Sequence, residues 1–230
     1  GGAVRDSLMG IEPKDIDIEV YNIDFDALNA ILSKHGSTSV VGKSFGVIKF
    51  KCADGMEYDF SIPRTENKIG IGHKGFDVQL NPFLTPKEAA KRRDFTINAL
   101  AYDPVDNRIH DYFGGLHDLE SKVLKHTSDQ FSEDPLRVLR ALQFQCRLGF
   151  LIHEDTWSLM GEMFTSGSLN DLPKERLCEE WMKWATKGRH HHLVFDFLRQ
   201  TGIELGDLRK MRLTEQDPEW HPEGNVEVHT

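Results

Sequence analysis

Apolar and charged residues alternate strictly along residues 15–20, where isoleucines separate Asp15, Asp17 and Glu19. Successive side chains of a β-strand point to opposite faces, so residues two apart share a face. The pattern therefore predicts a strand that carries three carboxylates on one side and a buried apolar surface on the other.

Helical and extended patterns follow one another through the first part of the chain. Residues 4–9 predict a short helix ended by Gly10, and residues 24–35 predict an amphipathic helix after an aspartate cap. Three further strands are predicted, at 38–41, 46–52 and 56–62. Residues 64–84 show no period and contain three glycines, so we expect a long loop there. This order predicts an α+β fold, in which helices pack on a small mixed sheet.

The later part of the chain has a mainly helical pattern. Thr85 and Glu88 form a capping-box sequence, which predicts that a helix starts there. Apolar residues at helical spacing predict further helices at 132–144, 153–164, 173–186 and 191–200. We therefore divide the chain into an α+β domain, residues 1–125, and an all-α domain, residues 126–230.

The composition argues against a membrane protein and leaves nucleic-acid binding open. No apolar run approaches the roughly 18 residues of a membrane span. The net charge of −9 argues mildly against a nucleic-acid partner, but the basic cluster at 87–93 can still bind phosphate. Three cysteines lie far apart without metal-ligand spacing, which indicates reduced thiols and a cytoplasmic protein.

A glycine pair shortly precedes the acidic strand. Gly1 and Gly2 let backbone N–H groups approach a phosphate without a Cβ in the way. Asp15 and Asp17, about 7 Å apart along a strand, can hold divalent cations such as Mg²⁺ beside a phosphate chain. Either element alone is commonly a plain turn or a solvated strand face. Together they are typical of the nucleotide end of a nucleotidyltransferase active site.

A second candidate phosphate site lies at residues 91–100, which read Lys-Arg-Arg-Asp-Phe-Thr-Ile-Asn-Ala-Leu. A charge run is normally a solvated face, but this one leads directly into an apolar stretch, so its side chains reach the edge of the core. Arg93 could clamp a phosphate with two hydrogen bonds, and Asp94 could accept a hydrogen bond from a ribose hydroxyl.

The helix predicted at 132–144 places Asp134, Arg137 and Arg140 opposite its apolar face. One interpretation is surface ion pairs at spacing three, each worth roughly a few tenths of a kcal/mol. The other is base recognition. A carboxylate and a guanidinium can together hydrogen-bond to the amino group and the ring nitrogen on the pairing edge of cytosine or adenine. Uracil and guanine present a carbonyl in place of that amino group, so the carboxylate faces a second acceptor. Base recognition explains more of the pattern.

Four motifs resemble those of the class II tRNA nucleotidyltransferases (CCA-adding enzymes) and the related bacterial poly(A) polymerases. In chain order they are GGAVRD with PKDIDI, RRDFTINAL, DYFGGLHDL and EDPLRVLRALQF, within residues 1–150. The resemblance implies a polymerase-β-like nucleotidyltransferase head, followed by an all-α neck and the start of a body that bind RNA and nucleotide. It also implies that a strand is missing before Gly1 and that the chain stops before an HD phosphohydrolase domain.

The resemblance assigns roles to individual residues. Asp15 and Asp17 would be the catalytic pair that holds Mg²⁺, with Asp59 as a possible further ligand. The nucleotide would be bound by Gly1, Gly2, Arg5, Arg93, Asp94, Asp134, Arg137, Arg140 and Gln143. Many members of the family carry an arginine at the position of Gln143.

The implied reaction is template-independent addition or repair of the 3′-terminal CCA of tRNA from CTP and ATP, with release of pyrophosphate. The expected partners are a tRNA 3′ end and these two nucleotides. Two alternatives stay open, namely a poly(A) polymerase and a nucleotide- or RNA-binding module without catalysis. The segment at 64–84 is similar to a loop tied to addition of the terminal A, with a plain surface loop as the alternative.

Overall fold

The computed structural model describes residues 1–41, 46–68 and 76–201, together with a few positions between 214 and 224. The three glycines of the predicted loop and most of the predicted entry to an HD domain lie outside the described residues. The chain divides into two compact units, Gly1–Ser121 with Lys125–Asp134 and Lys122–Leu124 with Pro135–Thr230. The predicted domain boundary at residue 125 stays a prediction.

A four-stranded mixed sheet forms the centre of the first unit. Its strands are β1 (Asp17–Glu19), β2 (Gly36–Val41), β3 (Val47–Cys52) and β4 (Glu57–Ser61). The order across the sheet is β1-β4-β3-β2, with β1 parallel to β4 and the other pairs antiparallel. The predicted α+β class with a small mixed sheet is confirmed.

One face of this sheet packs against a helix. The first two helices are α1 (Gly2–Leu8) and α2 (Phe25–Leu32). Leu28 and Leu32 of α2 belong to one apolar cluster with Ile48 and Phe50 of β3. Because the two β3 residues are two apart, the exposed Lys49 between them points to the opposite face. Asp17 and Asp59 lie on that opposite face as well, since they are in register with Lys49 across β1, β4 and β3.

Two paired strands lie in the described part of the segment predicted as a long loop. Strand β5 (Arg64–Lys68) pairs antiparallel with β6 (Phe76–Leu80). The prediction was wrong because pairing between the two strands stabilises an extended backbone that the polar pattern of either segment does not reveal.

Short elements complete the first unit. They are α3 (Pro86–Lys91), the hairpin strands β7 (Ala101–Asp103) and β8 (Arg108–His110), and α4 (Gly115–Glu120). The predicted capping box at α3 is confirmed, because the Thr85 hydroxyl accepts a hydrogen bond from the Glu88 N–H while the Glu88 carboxylate accepts one from the Thr85 N–H. The segment after α3 is fully buried at Phe95 and Ile97, which anchors the preceding arginines at the edge of the core.

The described part of the second unit is helical apart from one short strand pair. Strand β9 (Val123–Leu124) pairs parallel with β10 (Leu151–Ile152), and the helices are α5 (Leu136–Leu148), α6 (Glu154–Thr165), α7 (Lys174–Lys187) and α8 (His191–Thr201). The core of this unit contains the fully buried residues Val138, Cys146, Met160, Val194 and Phe197. Among the described residues, no helix has the length and apolarity that crossing a membrane requires.

Helix α5 begins later than predicted. A 3₁₀ turn occupies Asp129–Glu133, and Asp134 is extended with φ −115° and ψ 103°. The predicted start at Ser132 was wrong because Pro135 disfavours helical backbone in the residue before it. Asp134 therefore precedes the helix, whereas Arg137 lies half-buried in its first turn.

Candidate active site

The glycine turn at the start of the first unit lies beside charged side chains from distant parts of the sequence. The Gly1 nitrogen donates a hydrogen bond to the Leu100 carbonyl. Arg5, in the helix that begins at Gly2, donates a hydrogen bond to Asn98 of the same distant segment. Asp17 and Glu19 share a sheet face, and Glu19 Oε2 lies 3.8 Å from Arg93 Nη2, so the tertiary fold brings the acidic strand to the arginine segment to which the glycine turn is also bonded.

Packing inside the protein does not explain why this turn carries glycines. Among the described atoms, a Cβ built on Gly1 would meet none within 4 Å, and one built on Gly2 would meet only Arg5 Nη2, at 3.7 Å. The φ of Gly2 is also not in the positive range that favours glycine. The open space beside the turn is what a phosphate chain needs to approach the backbone.

Carboxylates from two neighbouring strands lie side by side. Asp17 and Asp59 are register partners in the parallel pair of β1 and β4, so their side chains point to the same sheet face. Asp15 precedes β1, and both Asp15 and Asp17 are exposed. Asp59 Oδ1 lies 4.0 Å from Lys49 Nζ. Asp17 is therefore accessible to a ligand on the sheet face opposite α2, and Asp15 is exposed just before that strand.

The donor set fits a hard divalent cation. Carboxylate oxygens are the protein ligands that Mg²⁺ prefers, and this ion usually completes its coordination with waters and substrate phosphates. Within the part of the chain that the structure describes, no three His, Cys, Asp or Glu side chains converge on a metal position. The roles of Asp15 and Asp17 as metal ligands, and of Asp59 as a further ligand, stay predictions.

Glu19 is the centre of an ion-pair network that the sequence analysis did not assign to the site. Its Oε1 accepts a hydrogen bond from Arg92 Nη2 at 3.2 Å. Its Oε2 accepts one from the Tyr21 hydroxyl at 2.8 Å and lies 3.8 Å from Arg93 Nη2. Burial and the neighbouring Glu19 charge raise the pKa of Tyr21. The sequence signal for this network was that Glu19 shares a strand face with Asp17.

Arg5 and Asp94 belong to a buried hydrogen-bond network. Arg5 is only 3% exposed, and its guanidinium donates to Asp6 Oδ1 at 2.8 Å and to Asn98 Oδ1. Asn98 Nδ2 donates to Asp94 Oδ1 at 2.9 Å, and the Phe95 N–H donates to the same oxygen at 2.8 Å. Arg5 thus connects α1 to the segment that carries Asp94. The nucleotide contacts predicted for Arg5 and Asp94 stay predictions.

Three residues predicted to bind nucleotide lie on α5 in the second unit, namely Arg137, Arg140 and Gln143. Arg140 Nη1 is 3.7 Å from Glu180 Oε1, and the guanidinium carbon lies 5.5 Å from the centre of the Phe144 ring. Gln143 is only 4% exposed and lines a small pocket with Glu180 and Trp181 of α7. A nucleotide contact by Gln143 would require this pocket to open, and that role stays a prediction.

Comparison with known proteins matches the Poly A polymerase head domain to residues 1–125. The Multifunctional CCA protein of Vibrio parahaemolyticus is 38% identical over 236 residues, covering all of this chain and 56% of the relative. The chain therefore spans about half the length of this curated relative.

Two solved structures are similar to the chain. The Bacillus stearothermophilus CCA-adding enzyme in complex with CTP aligns with a TM-score of 0.76 and 28% identity, over 93% of this chain and 51% of the other. The Thermotoga maritima CCA-adding enzyme complexed with tRNA aligns with a TM-score of 0.71 and 27% identity, over 97% and 50%. The expected nucleotidyltransferase head is confirmed, and the chain belongs to the poly A polymerase head-domain family, the class II nucleotidyltransferases that include the CCA-adding enzymes.

Proposed function

We propose that the chain is the catalytic part of a template-independent nucleotidyltransferase that adds or repairs the 3′-terminal CCA of tRNA from CTP and ATP. The observation that carries this proposal is geometric: Glu19, two residues after Asp17 on the same sheet face, lies 3.8 Å from Arg93, and the glycine turn is hydrogen-bonded to Leu100 in the segment that follows Arg93. The choice of substrates is supported by the relative named for CCA and by the similar enzymes solved with CTP and with tRNA. Because the chain spans about half of that relative, the activity is proposed for the full-length protein, in the cytoplasm.

The proposed reaction is attack by the terminal 3′-hydroxyl of tRNA on the α-phosphate of CTP or ATP. A bond forms between the hydroxyl oxygen and the α-phosphorus, while the bond from that phosphorus to the oxygen bridging to the β-phosphate breaks. Pyrophosphate leaves, and the hydroxyl proton passes to solvent.

The nucleotidyltransferase family is generally metal-dependent, and we assign the metal site to Asp15 and Asp17 and the ion to Mg²⁺. Both carboxylates are exposed and supply the oxygen donors that this ion prefers. When bound, Mg²⁺ lowers the pKa of the attacking hydroxyl and neutralises charge on the triphosphate.

Phosphate binding is assigned to the backbone N–H of Gly2 and to the Arg93 guanidinium. The Arg93 side chain is 34% exposed, so it can reach a ligand while it stays close to Glu19. A guanidinium donates hydrogen bonds in pairs that match the spacing of phosphate oxygens. These two groups would hold the triphosphate while the 3′-hydroxyl attacks.

Base selection is assigned to Asp134 and Arg137 by the chemistry of their side chains. In cytosine and adenine an amino group and a ring nitrogen are adjacent, which suits a carboxylate acceptor beside a guanidinium donor. Uracil and guanine present a carbonyl to the carboxylate, so two acceptors face each other. An unpaired buried polar group costs about 1–3 kcal/mol, which corresponds to a discrimination of about 5- to 150-fold.

A poly(A) polymerase is the second candidate, because the matched family is described by that head domain. Both enzymes would use the same phosphate and metal groups, and they differ in the acceptor and in the length of the product. The matched full-length relative and the two similar structures are CCA proteins, which favours CCA addition.

The catalytic assignment is tested by replacing both carboxylates, Asp15→Ala with Asp17→Ala, in the full-length protein. Transfer of labelled CMP to tRNA should be abolished, whereas the Tm should stay close to that of the wild type because both side chains are exposed. Glu12→Ala removes another exposed carboxylate from the same segment and is the matched control. Undiminished transfer by the double variant would overturn the metal assignment.

A further inference from the structure

The Glu19 carboxylate accepts two hydrogen bonds and forms one longer ion pair. One oxygen, Oε1, accepts from Arg92 Nη2 at 3.2 Å. The other, Oε2, accepts from the Tyr21 hydroxyl at 2.8 Å and lies 3.8 Å from Arg93 Nη2. The Glu19 side chain is only 15% exposed, so solvent screens these interactions less than it screens a surface pair. The two hydrogen bonds fix the carboxylate, which places its negative charge beside Arg93.

Two adjacent arginines repel each other unless an anion lies between them. Glu19 is such an anion, and it contacts each guanidinium through one terminal amino group. A guanidinium carries five N–H donors in a rigid plane, so an anion beside one amino group of Arg93 biases the orientation of that plane while its other edge can face a second anion. The phosphates of a nucleotide are the anions that the proposed reaction brings to Arg93.

We propose that Glu19 is a positioning residue for nucleotide transfer. Its charge holds Arg93 in the orientation that receives the phosphates of a nucleoside triphosphate, while the hydrogen bonds from Arg92 and Tyr21 hold the Glu19 carboxylate. This inference rests on the proposed function, because it concerns the same phosphate site. It adds three residues to that site, namely Glu19, Tyr21 and Arg92.

The protonation of Tyr21 agrees with this role. Burial, the Glu19 charge and the hydrogen bond between them raise the pKa of Tyr21, so the hydroxyl keeps its proton and remains a donor to Glu19. The hydroxyl contributes only a hydrogen bond, so its removal should have a smaller effect than loss of the Glu19 charge.

The negative charge of Glu19 allows a positioning role to be distinguished from simple electrostatic attraction of the nucleotide. A carboxylate beside a triphosphate repels it, so Glu19→Gln would improve nucleotide binding if electrostatic attraction alone mattered. Positioning predicts the opposite for turnover, because small displacements of a reacting group cost large factors in rate. We expect kcat with CTP and tRNA to fall by roughly 10-fold or more for Glu19→Gln, without a matching rise in KM for CTP.

The experiment is a double-mutant cycle in the full-length protein, with Glu19→Gln, Arg93→Gln and both together. If Glu19 acts through Arg93, the double variant should be no slower than Arg93→Gln alone. Glu19→Asp should recover part of the lost kcat, and Tyr21→Phe should cost only a few-fold. Glu57→Gln, which alters a surface pair with Lys51 on the same sheet, is the matched control and should leave kcat unchanged.

Each outcome separates this inference from the proposed function. The positioning role would be overturned if Glu19→Gln had the kcat of the wild type, or if the losses from the two single variants multiplied in the double variant. In either case, nucleotide transfer by the wild type would still support the proposed function. If the wild type transferred no nucleotide, the function would fall. The same variants would then be compared by equilibrium binding of CTP, where tighter binding by Glu19→Gln than by the wild type would overturn the positioning role and an unchanged or weaker affinity would support it.

Discussion

The substitution Gly2→Ala should leave the fold intact and impair nucleotide transfer. Gly2 is the first residue of α1, its φ is not positive, and an added methyl would meet only Arg5 Nη2, at the ordinary contact distance of 3.7 Å. Alanine loses less backbone freedom on folding than glycine and is favoured in helices by about 0.5–1 kcal/mol. At a helix end we expect the smaller value, a gain of about 0.5 kcal/mol in the free energy of unfolding.

The same methyl would project into the space that we assign to the triphosphate. Moving the phosphates away from the Gly2 N–H would weaken a charge-assisted hydrogen bond, whose loss costs about 1.5–3 kcal/mol. The kcat/KM for CTP should therefore fall by about 10- to 150-fold. A substitution that stabilises the fold and slows the reaction points to a ligand-binding role for the glycine.

The assay compares thermal unfolding with the initial rate of CTP addition to a tRNA that lacks CCA. A gain of 0.5 kcal/mol corresponds to a rise of about 1–2 °C in Tm for a chain of this length. Gly161→Ala is the matched control, because Gly161 lies inside α6 and a Cβ there would meet no described atom within 4 Å. The control should raise the Tm and leave kcat/KM unchanged. Wild-type kcat/KM for Gly2→Ala, or a Tm lowered by several degrees, would refute the reasoning.

Two further substitutions test the second unit. Arg137→Ala should reduce the preference for CTP over UTP by roughly 10-fold, measured as the ratio of kcat/KM values, and an unchanged ratio would count against base reading by α5. Gln143→Arg should raise the Tm by about 2–4 °C. Among the described residues, Glu180 Oε2 is buried without a hydrogen-bond partner, and position 143 lines the same pocket. A lower Tm would show that the pocket cannot accommodate a guanidinium.

Local patterns were sufficient where the structure depends on neighbours in sequence. The alternation at 15–20 predicted the carboxylate face of β1, and Thr85 with Glu88 predicted the start of α3. The later start of α5 was also a local property, because Pro135 explains why Asp134 is extended. Pro135 was visible in the sequence, and the predicted helix cap at Ser132 was wrong because it did not take this proline into account.

Local sequence patterns did not predict contacts between segments that are far apart in the chain. Strands β5 and β6 are held together by cross-strand pairing, which neither polar segment reveals by itself. Arg5 carries the charge expected of a phosphate ligand, yet it lies buried against Asn98 because α1 packs on the segment after α3. Glu19 was visible as a member of the acidic face, but its pairing with Arg92 depends on the same tertiary packing.

The most direct test of the proposed function offers the full-length protein, with Mg²⁺, three RNA acceptors. They are a tRNA ending before CCA, a tRNA ending in CC, and an unstructured RNA, each supplied with labelled CTP, ATP or UTP. We predict completion of CCA on the first acceptor when CTP and ATP are both present, a single A on the second, and no UTP incorporation. A long ladder of A on the unstructured RNA would contradict CCA addition in favour of a poly(A) polymerase, and no incorporation on any acceptor would contradict catalysis altogether.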